Sequence, residues 1–273
     1  MNINAFPRLV DHTTSYLCDL VKAAGNGELA LPKFQRPFVW DDADTSALLD
    51  SITQGFPIGS LILWGGWWSG AQVPADRVRP FEGSTLLPNP TLVLDGQQRL
   101  TALLNATRHG TRWVVDLSGE ALVFRLGTDA ELSDRKAAMM SAVFPAWTLM
   151  HYPHQVDEEF NEERHAVRKW ATPVEYEDVL MTKTAKRKGV LVEVANGTRR
   201  VPRDLPQTAH QKAVEEAMYN IEALRTLFRN ARVSVTAIDP RATLDYAREV
   251  FRRFNCTGRP MSQADVFDAL SGG

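Results

Sequence analysis

The segment Asp95-Gly96-Gln97-Gln98-Arg99 combines residue types that bind phosphate. A short apolar stretch precedes it and leucines at helical spacing follow it, so we expect it at a turn from a strand into a helix. The N–H groups and the dipole of a helix N-terminus attract anions. Gly96 would permit a close approach, and Arg99 could pair with phosphate oxygens. Gln97 and Gln98 could bind a base or ribose, and Asp95 could hold a divalent metal or orient water. A plain turn capped by Asp95 fits the same residues.

A second group places Gln35 and Arg36 beside the rings of Phe38 and Trp40. Pro37 stiffens the chain between the polar pair and the rings. Aromatic rings next to a guanidinium can contact a base while the cation reaches phosphate. Alternatively, Phe38 and Trp40 are core residues and Arg36 forms a surface ion pair.

Two further groups lie towards the carboxyl end. Asn255 follows a predicted helix and could bind a ligand, although helix capping also explains it. Arg199 and Arg200 belong to a basic cluster around Asn196-Gly197, a dipeptide typical of a hairpin turn. A basic β-ribbon could lie along DNA phosphates, whereas most such clusters are simply solvated.

Periodicity and turn residues predict the elements that position these groups. Predicted helices cover His12–Ala24, a stretch from a cap at Asp41 or Asp42 to about Gly55, a stretch after Arg99, Val156–Trp170, Gln207–Asn230, Leu244–Phe254 and a last helix capped by Ser262. Predicted strands or extended segments are Leu29–Phe34, Ser60–Trp64, Thr91–Leu94, Trp113–Leu117, Ala121–Leu126, the hairpin arms Val190–Ala195 and Thr198–Val201, and Arg232–Ile238. The chain is therefore expected to be α+β.

Composition limits the class of protein. The 273 residues are 44% hydrophobic and 23% charged, which is typical of a globular chain with a sizeable core. The net charge of −2 indicates that any nucleic-acid surface is local. Cys18 and Cys256 predict reduced thiols in a cytoplasmic protein, and the apolar runs are too short to span a membrane. The six histidines show no metal-ligand pattern, and no acidic or histidine cluster indicates a nuclease site in this chain.

Taken in order, four motifs resemble the DUF262 family, the amino-terminal domains of restriction proteins of the GmrSD and SspE types. The motifs are Leu31–Trp40, Leu48–Trp64, Asp95–Arg99 and Asn255–Leu270. They span most of the chain, whereas the middle, from about Arg125 to Val233, shows no counterpart. The family's first domain resembles the ParB/sulfiredoxin-like fold, in which a loop of the Asp-Gly-x-x-Arg type binds nucleotide phosphates.

The resemblance implies a ParB/sulfiredoxin-like mixed α/β nucleotide-binding core over residues 1–150. Residues 151–273 would form a mainly helical portion with a β-hairpin insertion, packing back on the core through residues 244–270. The core would bind an NTP and hydrolyse it to NDP and phosphate with Mg²⁺, water being the nucleophile. Asp95, Gln98 and Arg99 would be catalytic, with Asp95 as a metal ligand. The residues implied in nucleotide binding are Gln35, Arg36, Gly96, Gln97 and Asn255.

In this hypothesis the domain regulates or powers DNA cleavage carried out by a nuclease domain or subunit elsewhere, and it can form a homo-oligomer. A second hypothesis is a sensor of modified DNA without turnover, in which Phe38, Trp40, Arg199 and Arg200 contact DNA. A direct nuclease is a third, and a toxin or antitoxin role in a defence operon stays open.

Overall fold

A six-stranded mixed sheet forms the centre of the molecule in the computed structural model, which describes residues 10–65, 77–134, 137–138, 141–150, 184–187, 190–193 and 209–256. The strands are β1 (Val10–Tyr16), β2 (Leu29–Pro32), β3 (Ser60–Trp64), β4 (Val78–Arg79), β5 (Thr91–Asp95), β6 (Trp113–Asp116), β7 (Val123–Leu126), β8 (Val143–Pro145), β9 (Thr184–Arg187), β10 (Val190–Glu193) and β11 (Arg232–Ile238). The helices are α1 (Leu17–Gly25), α2 (Asp42–Thr53), α3 (Gln97–Thr107), α4 (Asp129–Ser133), α5 (Ala209–Asn230) and α6 (Leu244–Cys256), with a 3-10 turn at Ala146–Leu149. The α+β class predicted from the sequence is confirmed.

The strands of the central sheet lie in the order β1-β11-β3-β5-β2-β4. The neighbours β11 and β3 run parallel, as do β5 and β2, and the other neighbours are antiparallel. Alternate side chains of a strand point to opposite faces of the sheet, and the inner strands contribute to a buried cluster on each face. Leu61 and Val93 join the larger core, which also contains buried residues of α1, α2, α3 and α5. Ile62 and Leu94 point to the other face, where Ala247 of α6 covers them.

A β-bulge distorts β5 directly before the polar segment. Asp95 lies opposite Ile62 and Val93 lies opposite Leu63, so Leu94 has no partner on β3. Bulges bend a strand and redirect the side chains beside them, and they are frequent next to functional sites. The chain therefore leaves the ladder at the residue where the segment Asp95–Arg99 begins.

Several predicted elements are confirmed with only small changes in their bounds. α2 begins with a capping box, in which the Asp41 side chain accepts from the Asp44 N–H and the Asp44 side chain accepts from the Asp41 N–H. β6 and β7 form the predicted antiparallel hairpin, and β8 adds to the other side of β6. Among the described helices, none is both long and apolar enough to cross a membrane.

The prediction of one helix over His12–Ala24 is wrong for its first residues. Residues 12–16 belong to β1, which pairs antiparallel with β11 along its whole length, and the helix begins only at Leu17. The hydrogen bonds that fix β1 therefore come from a strand more than two hundred residues later.

The strand predicted at Val190 is present, but its partner is Thr184–Arg187. Residues 194–208, with the predicted turn at Asn196-Gly197, lie outside the described residues, as do the predicted helices at Val156–Trp170 and after Ser262.

Candidate functional site

Gly96 makes the turn from β5 into α3, where the sequence predicts a strand-to-helix turn. Its φ of +94° lies in the left-handed region, and a Cβ atom there would stand 1.9 Å from Leu61 Cδ2. Both facts require glycine. No side chain of the described residues caps α3, and its first turn contains no acidic residue. Within the described residues, no side chain therefore caps or neutralises the positive end of α3.

A pocket of about 440 Å³ opens over this helix end. It is lined by Gln35, Arg36, Trp40, Leu94, Asp95, Gly96, Gln97, Gln98, Arg99 and Phe251. The fold thus brings together two segments that the sequence separates by about sixty residues. The segment 95–99 and the pair Gln35 and Arg36, which the sequence predicts as one site, do lie around one cavity.

Gln35 is buried, and its side chain connects the loop after β2 to the bulge of β5. Its Nε2 donates to the carbonyl oxygens of Val93 at 2.9 Å and Leu94 at 2.6 Å. Its Oε1 is buried and accepts no hydrogen bond within the described part of the chain. A buried acceptor without a partner is costly, so an oxygen of this kind in a pocket wall is suited to accept from a ligand or water.

Gln97 and Gln98 hold the loop that carries Arg36. The Gln97 Nε2 donates to the Arg36 carbonyl at 3.0 Å. Gln98 bonds the same loop twice, since its Nε2 donates to the Pro37 carbonyl at 3.0 Å and its Oε1 accepts from the Val39 N–H at 2.9 Å. The amide groups that the sequence predicts on a base or ribose are engaged with main chain in this structure. They fix the loop of residues 36–39 on the start of α3.

Arg99 is held from two sides at the pocket wall. Its Nη2 pairs with Oδ2 of Asp95, the last residue of β5, at 3.1 Å, and its Nη1 donates to the Ile58 carbonyl at 2.7 Å. A Cβ atom on Gly59 would stand 2.5 Å from Arg99 Nη1. This contact explains the glycine of the Phe56-Pro57-Ile58-Gly59 turn, because the guanidinium occupies the space beside it. Arg99 is therefore a cation in a fixed position.

Arg36 differs from Arg99 in being exposed and free. Its guanidinium forms no hydrogen bond or ion pair with any of the described residues, although it lines the same pocket. The surface ion pair considered from the sequence is therefore not formed within that part of the chain. The guanidinium of Arg36 is therefore available to form an ion pair with an anion.

Aromatic rings form the apolar part of the pocket. Trp40 lines it while also packing, half-buried, against the larger core, and Phe38 packs against the core without lining the pocket. Phe251 enters from α6, and its ring meets Phe34 edge-on with centroids 5.5 Å apart. Sequence reasoning assigned no role to Phe251. The sequence feature that could have indicated such a role is its position on an amphipathic helix, one turn before Asn255.

The other predicted site residues, Asn255, Arg199 and Arg200, are not among the described residues that line this pocket. Asn255 lies in the last turn of α6, four residues after Phe251. Arg199 and Arg200 lie outside the described residues. Within the described ranges, no group of three or more His, Cys, Asp or Glu side chains could hold a metal ion. Asp95 is the single carboxylate among the pocket-lining residues.

Comparison with known proteins identifies the family of this chain. The family described as GmrSD restriction endonuclease, N-terminal domain, matches residues 17–271. An uncharacterised protein of Methanocaldococcus jannaschii is 40% identical over 103 residues, which cover 36% of this chain and 17% of that protein. The chain thus matches a small part of that relative's length. Because the family match runs over nearly the whole sequence, the chain belongs to the family of GmrSD restriction endonuclease N-terminal domains.

Proposed function

We propose that this protein binds a nucleoside triphosphate in the pocket over α3 and hydrolyses it, as part of a DNA-restriction system. One observation carries the proposal. The uncapped N-terminus of α3 opens into a cavity whose wall holds a fixed arginine, Arg99, and a free one, Arg36. Helix N–H groups and guanidinium groups are the donors that phosphate oxygens prefer.

The pocket offers separate surfaces for the parts of a nucleotide. Its volume of about 440 Å³ lies within the usual range for small-ligand sites. Phosphates would lie on the first turn of α3 between Arg36 and Arg99, where Gly96 lets them approach the main chain. Trp40 and Phe251 are rings against which a base could pack, and Gln35 Oε1 is a buried acceptor. We infer that Gln97 and Gln98 act by positioning the loop that carries Arg36.

Hydrolysis would depend on charge neutralisation and on the positioning of water. A Mg²⁺ ion commonly binds through one carboxylate, the substrate phosphates and several waters, and the single carboxylate of Asp95 fits that pattern. There Mg²⁺ would neutralise charge on the phosphates. Asp95 would also orient the attacking water through Oδ1, which forms no hydrogen bond within the described residues, while Oδ2 holds Arg99. Arg36 and Arg99 would stabilise the charge that develops on the transferred phosphoryl group.

Within this proposal the nucleotide regulates or powers DNA cleavage by a nuclease domain or subunit outside the site described above. The family membership supports a role in restriction. The physical support for a regulatory role is that α6 contributes Phe251 to the pocket while its apolar residues pack on the central sheet. A ligand in the pocket would therefore also contact the helix that covers this face of the sheet.

The variant Arg36→Ala tests the site without disturbing the fold, because Arg36 forms no side-chain hydrogen bond or ion pair within the described residues. We expect it to weaken NTP binding about tenfold or more and to slow phosphate release, as the loss of a charge-assisted contact predicts. Arg112→Ala removes an exposed guanidinium that pairs with Asp129 outside the pocket, and serves as the matched control. Binding is measured by calorimetry and phosphate release by a coupled assay.

Arg99→Ala and Asp95→Ala complete the test, since each removes a proposed catalytic group. Binding and turnover that persist in all three pocket variants would show that the nucleotide site is elsewhere. Binding of modified duplex DNA without any phosphate release would instead favour a sensor that does not hydrolyse NTP.

A further inference from the structure

A second pocket, of about 180 Å³, lies at the outer edge of the central sheet, beside β2 and β4. Three cationic side chains line it, from Lys33, Arg77 and Arg248, around the ring of Phe34. No acidic residue is among the described residues that line it. Three positive charges around one small cavity produce a local field that attracts anions.

Lys33 and Arg77 are held directly opposite each other. The β2–β4 register pairs Leu31 with Arg79 and Pro32 with Val78, and it continues to Lys33, whose N–H donates to the Arg77 carbonyl at 2.9 Å. Neither side chain forms a hydrogen bond or ion pair within the described part of the chain. Like charges directly opposite in an antiparallel pair are destabilising. An anion between the two side chains would remove that repulsion.

The third cation comes from another element. Arg248 extends from α6, and its guanidinium carbon lies 5.9 Å from the centroid of the Phe34 ring. Its ion pair with Asp245, at 3.2 Å, is weak because the Asp245 side chain is 89% exposed. Phe34 also meets Phe251 of the first pocket, so this pair of rings separates the two cavities. Cationic side chains from the residue after β2, the residue before β4 and helix α6 therefore line one cavity.

We propose that this pocket binds a phosphate group. The pocket volume of about 180 Å³ suits a phosphate group rather than a whole nucleotide. The lysine and arginine side chains supply several hydrogen-bond donors and a net positive charge. Two sources share this chemistry, a small free phosphate or pyrophosphate and a phosphodiester of a nucleic-acid backbone. The proposal is independent of the nucleotide site proposed above, because none of the three cations lines that pocket.

The variants Lys33→Glu and Arg77→Glu test the proposal on the full chain. Each turns a repulsive cross-strand pair into an ion pair, so we expect the melting temperature to stay the same or to rise by about 2–4 °C at most. Arg112→Glu is the control, since Arg112 is also exposed but lies directly before β6, away from β2 and β4. The probes are pyrophosphate, followed by calorimetry, and a labelled duplex of about 20 base pairs, followed by anisotropy over a range of NaCl concentrations.

We expect each variant to weaken binding of at least one probe about tenfold. For the duplex, the slope of log affinity against log salt should fall by about one for each cation removed. Loss of duplex binding with unchanged pyrophosphate binding identifies the nucleic-acid backbone as the ligand. Loss of pyrophosphate binding that Arg36→Ala does not share identifies a free phosphate.

Three results would overturn the proposal. The first is that the unmodified protein binds neither probe. The second is that Lys33→Glu and Arg77→Glu bind both probes as tightly as Arg112→Glu does. The third is a lower melting temperature in both variants, which would show that the two cations already have partners in the folded chain.

Discussion

Two arginines line the same pocket in different states. Arg99 is held by Asp95 and by the Ile58 carbonyl, whereas Arg36 is free within the described residues. A fixed cation is positioned before a ligand arrives, so little side-chain entropy is lost when the ligand binds. A free cation loses rotamer freedom on binding but can follow a charge that moves during reaction. The pocket therefore combines one rigidly held cation with one that can change its position.

Replacing Gln98 with alanine should loosen the loop that carries Arg36. The variant loses both hydrogen bonds between the amide and residues 37 and 39. We expect unfolding to become easier by about 1–2 kcal/mol in urea titrations and hydrogen exchange at the Val39 amide to accelerate. Gln98→Glu keeps the acceptor for Val39 and should recover part of that protection. Unchanged stability together with lost turnover would instead indicate a direct catalytic role for Gln98.

Gly96→Ala should be much more damaging than another substitution at positive φ. A Cβ at Gly96 would clash with Leu61 Cδ2, whereas a Cβ at Gly55, where φ is +73°, meets nothing within 4 Å. Gly55→Ala therefore reports the backbone cost alone, about 1–2 kcal/mol. We expect Gly96→Ala to lose roughly 1–3 kcal/mol more in urea unfolding, because the fully packed core cannot absorb the methyl group. Equal losses at the two glycines would contradict the close packing of Gly96 on β3.

Among the elements, the ones predicted best are those whose own residues determine them. Ser60–Trp64 and Arg232–Ile238 have the bounds that their apolar, branched residues predict, and α2 begins at the expected acidic cap. β1 was missed because most of its side chains are exposed and carry no strict alternation. Its structure depends on β11, which no local pattern reveals.

The candidate site, too, could be predicted from the sequence only in part. The pairing of residues 35–36 with residues 95–99 came from the order of family motifs, and the structure brings these segments together. The role of the glutamines could not be predicted, because an amide beside a phosphate-type turn suits a ligand and a neighbouring loop equally well. Phe251 was missed because an aromatic residue on an amphipathic helix usually packs in the core.

The three-stranded sheet of β6, β7 and β8 is joined to α4 by a charge cluster whose contribution to stability should depend on pH. Arg125, on β7, bonds Asp116 of β6 at 2.7 Å and Glu131 of α4 at 2.7 Å. The hydrogen bond from Arg125 lowers the pKa of Glu131 from 4.5 to about 2. A lowered carboxyl pKa stabilises the folded state above the unfolded pKa, and that stabilisation is lost as the pH falls towards the folded pKa.

We therefore expect Glu131→Gln to cost about 1–2 kcal/mol above pH 5, a value that allows for solvent screening of this part-exposed pair. The difference from the unmodified protein should shrink between about pH 4.5 and pH 2. Urea titrations at a series of pH values measure it. Asp129→Asn is the control, since its ion pair with Arg112 involves a side chain that is 95% exposed and should contribute little. A difference that does not change with pH would show that Glu131 acts through packing alone.

At the scale of the whole molecule, late residues complete a sheet that early residues begin. β11 lies between β1 and β3, and α5 contributes Ile221 and Phe228 to the larger core. The ring of Phe228 also lies 5.9 Å from that of Phe124 on β7. These contacts join residues from both sides of position 150, where the sequence predicts the end of the nucleotide-binding core.

A fragment of residues 1–150 should therefore fail to fold cooperatively. Without β11 it exposes the inner edges of β1 and β3, and without α5 it uncovers buried residues of α1 and α2. We expect no sigmoidal urea transition in tryptophan fluorescence and poor dispersion in proton NMR spectra. Addition of a peptide covering residues 209–256 should restore the transition in proportion to its concentration, because it supplies the missing strand and helices. A fragment that unfolds cooperatively by itself would show that the predicted core is a separate domain, and that β11 and α5 are added to a sheet that is already stable.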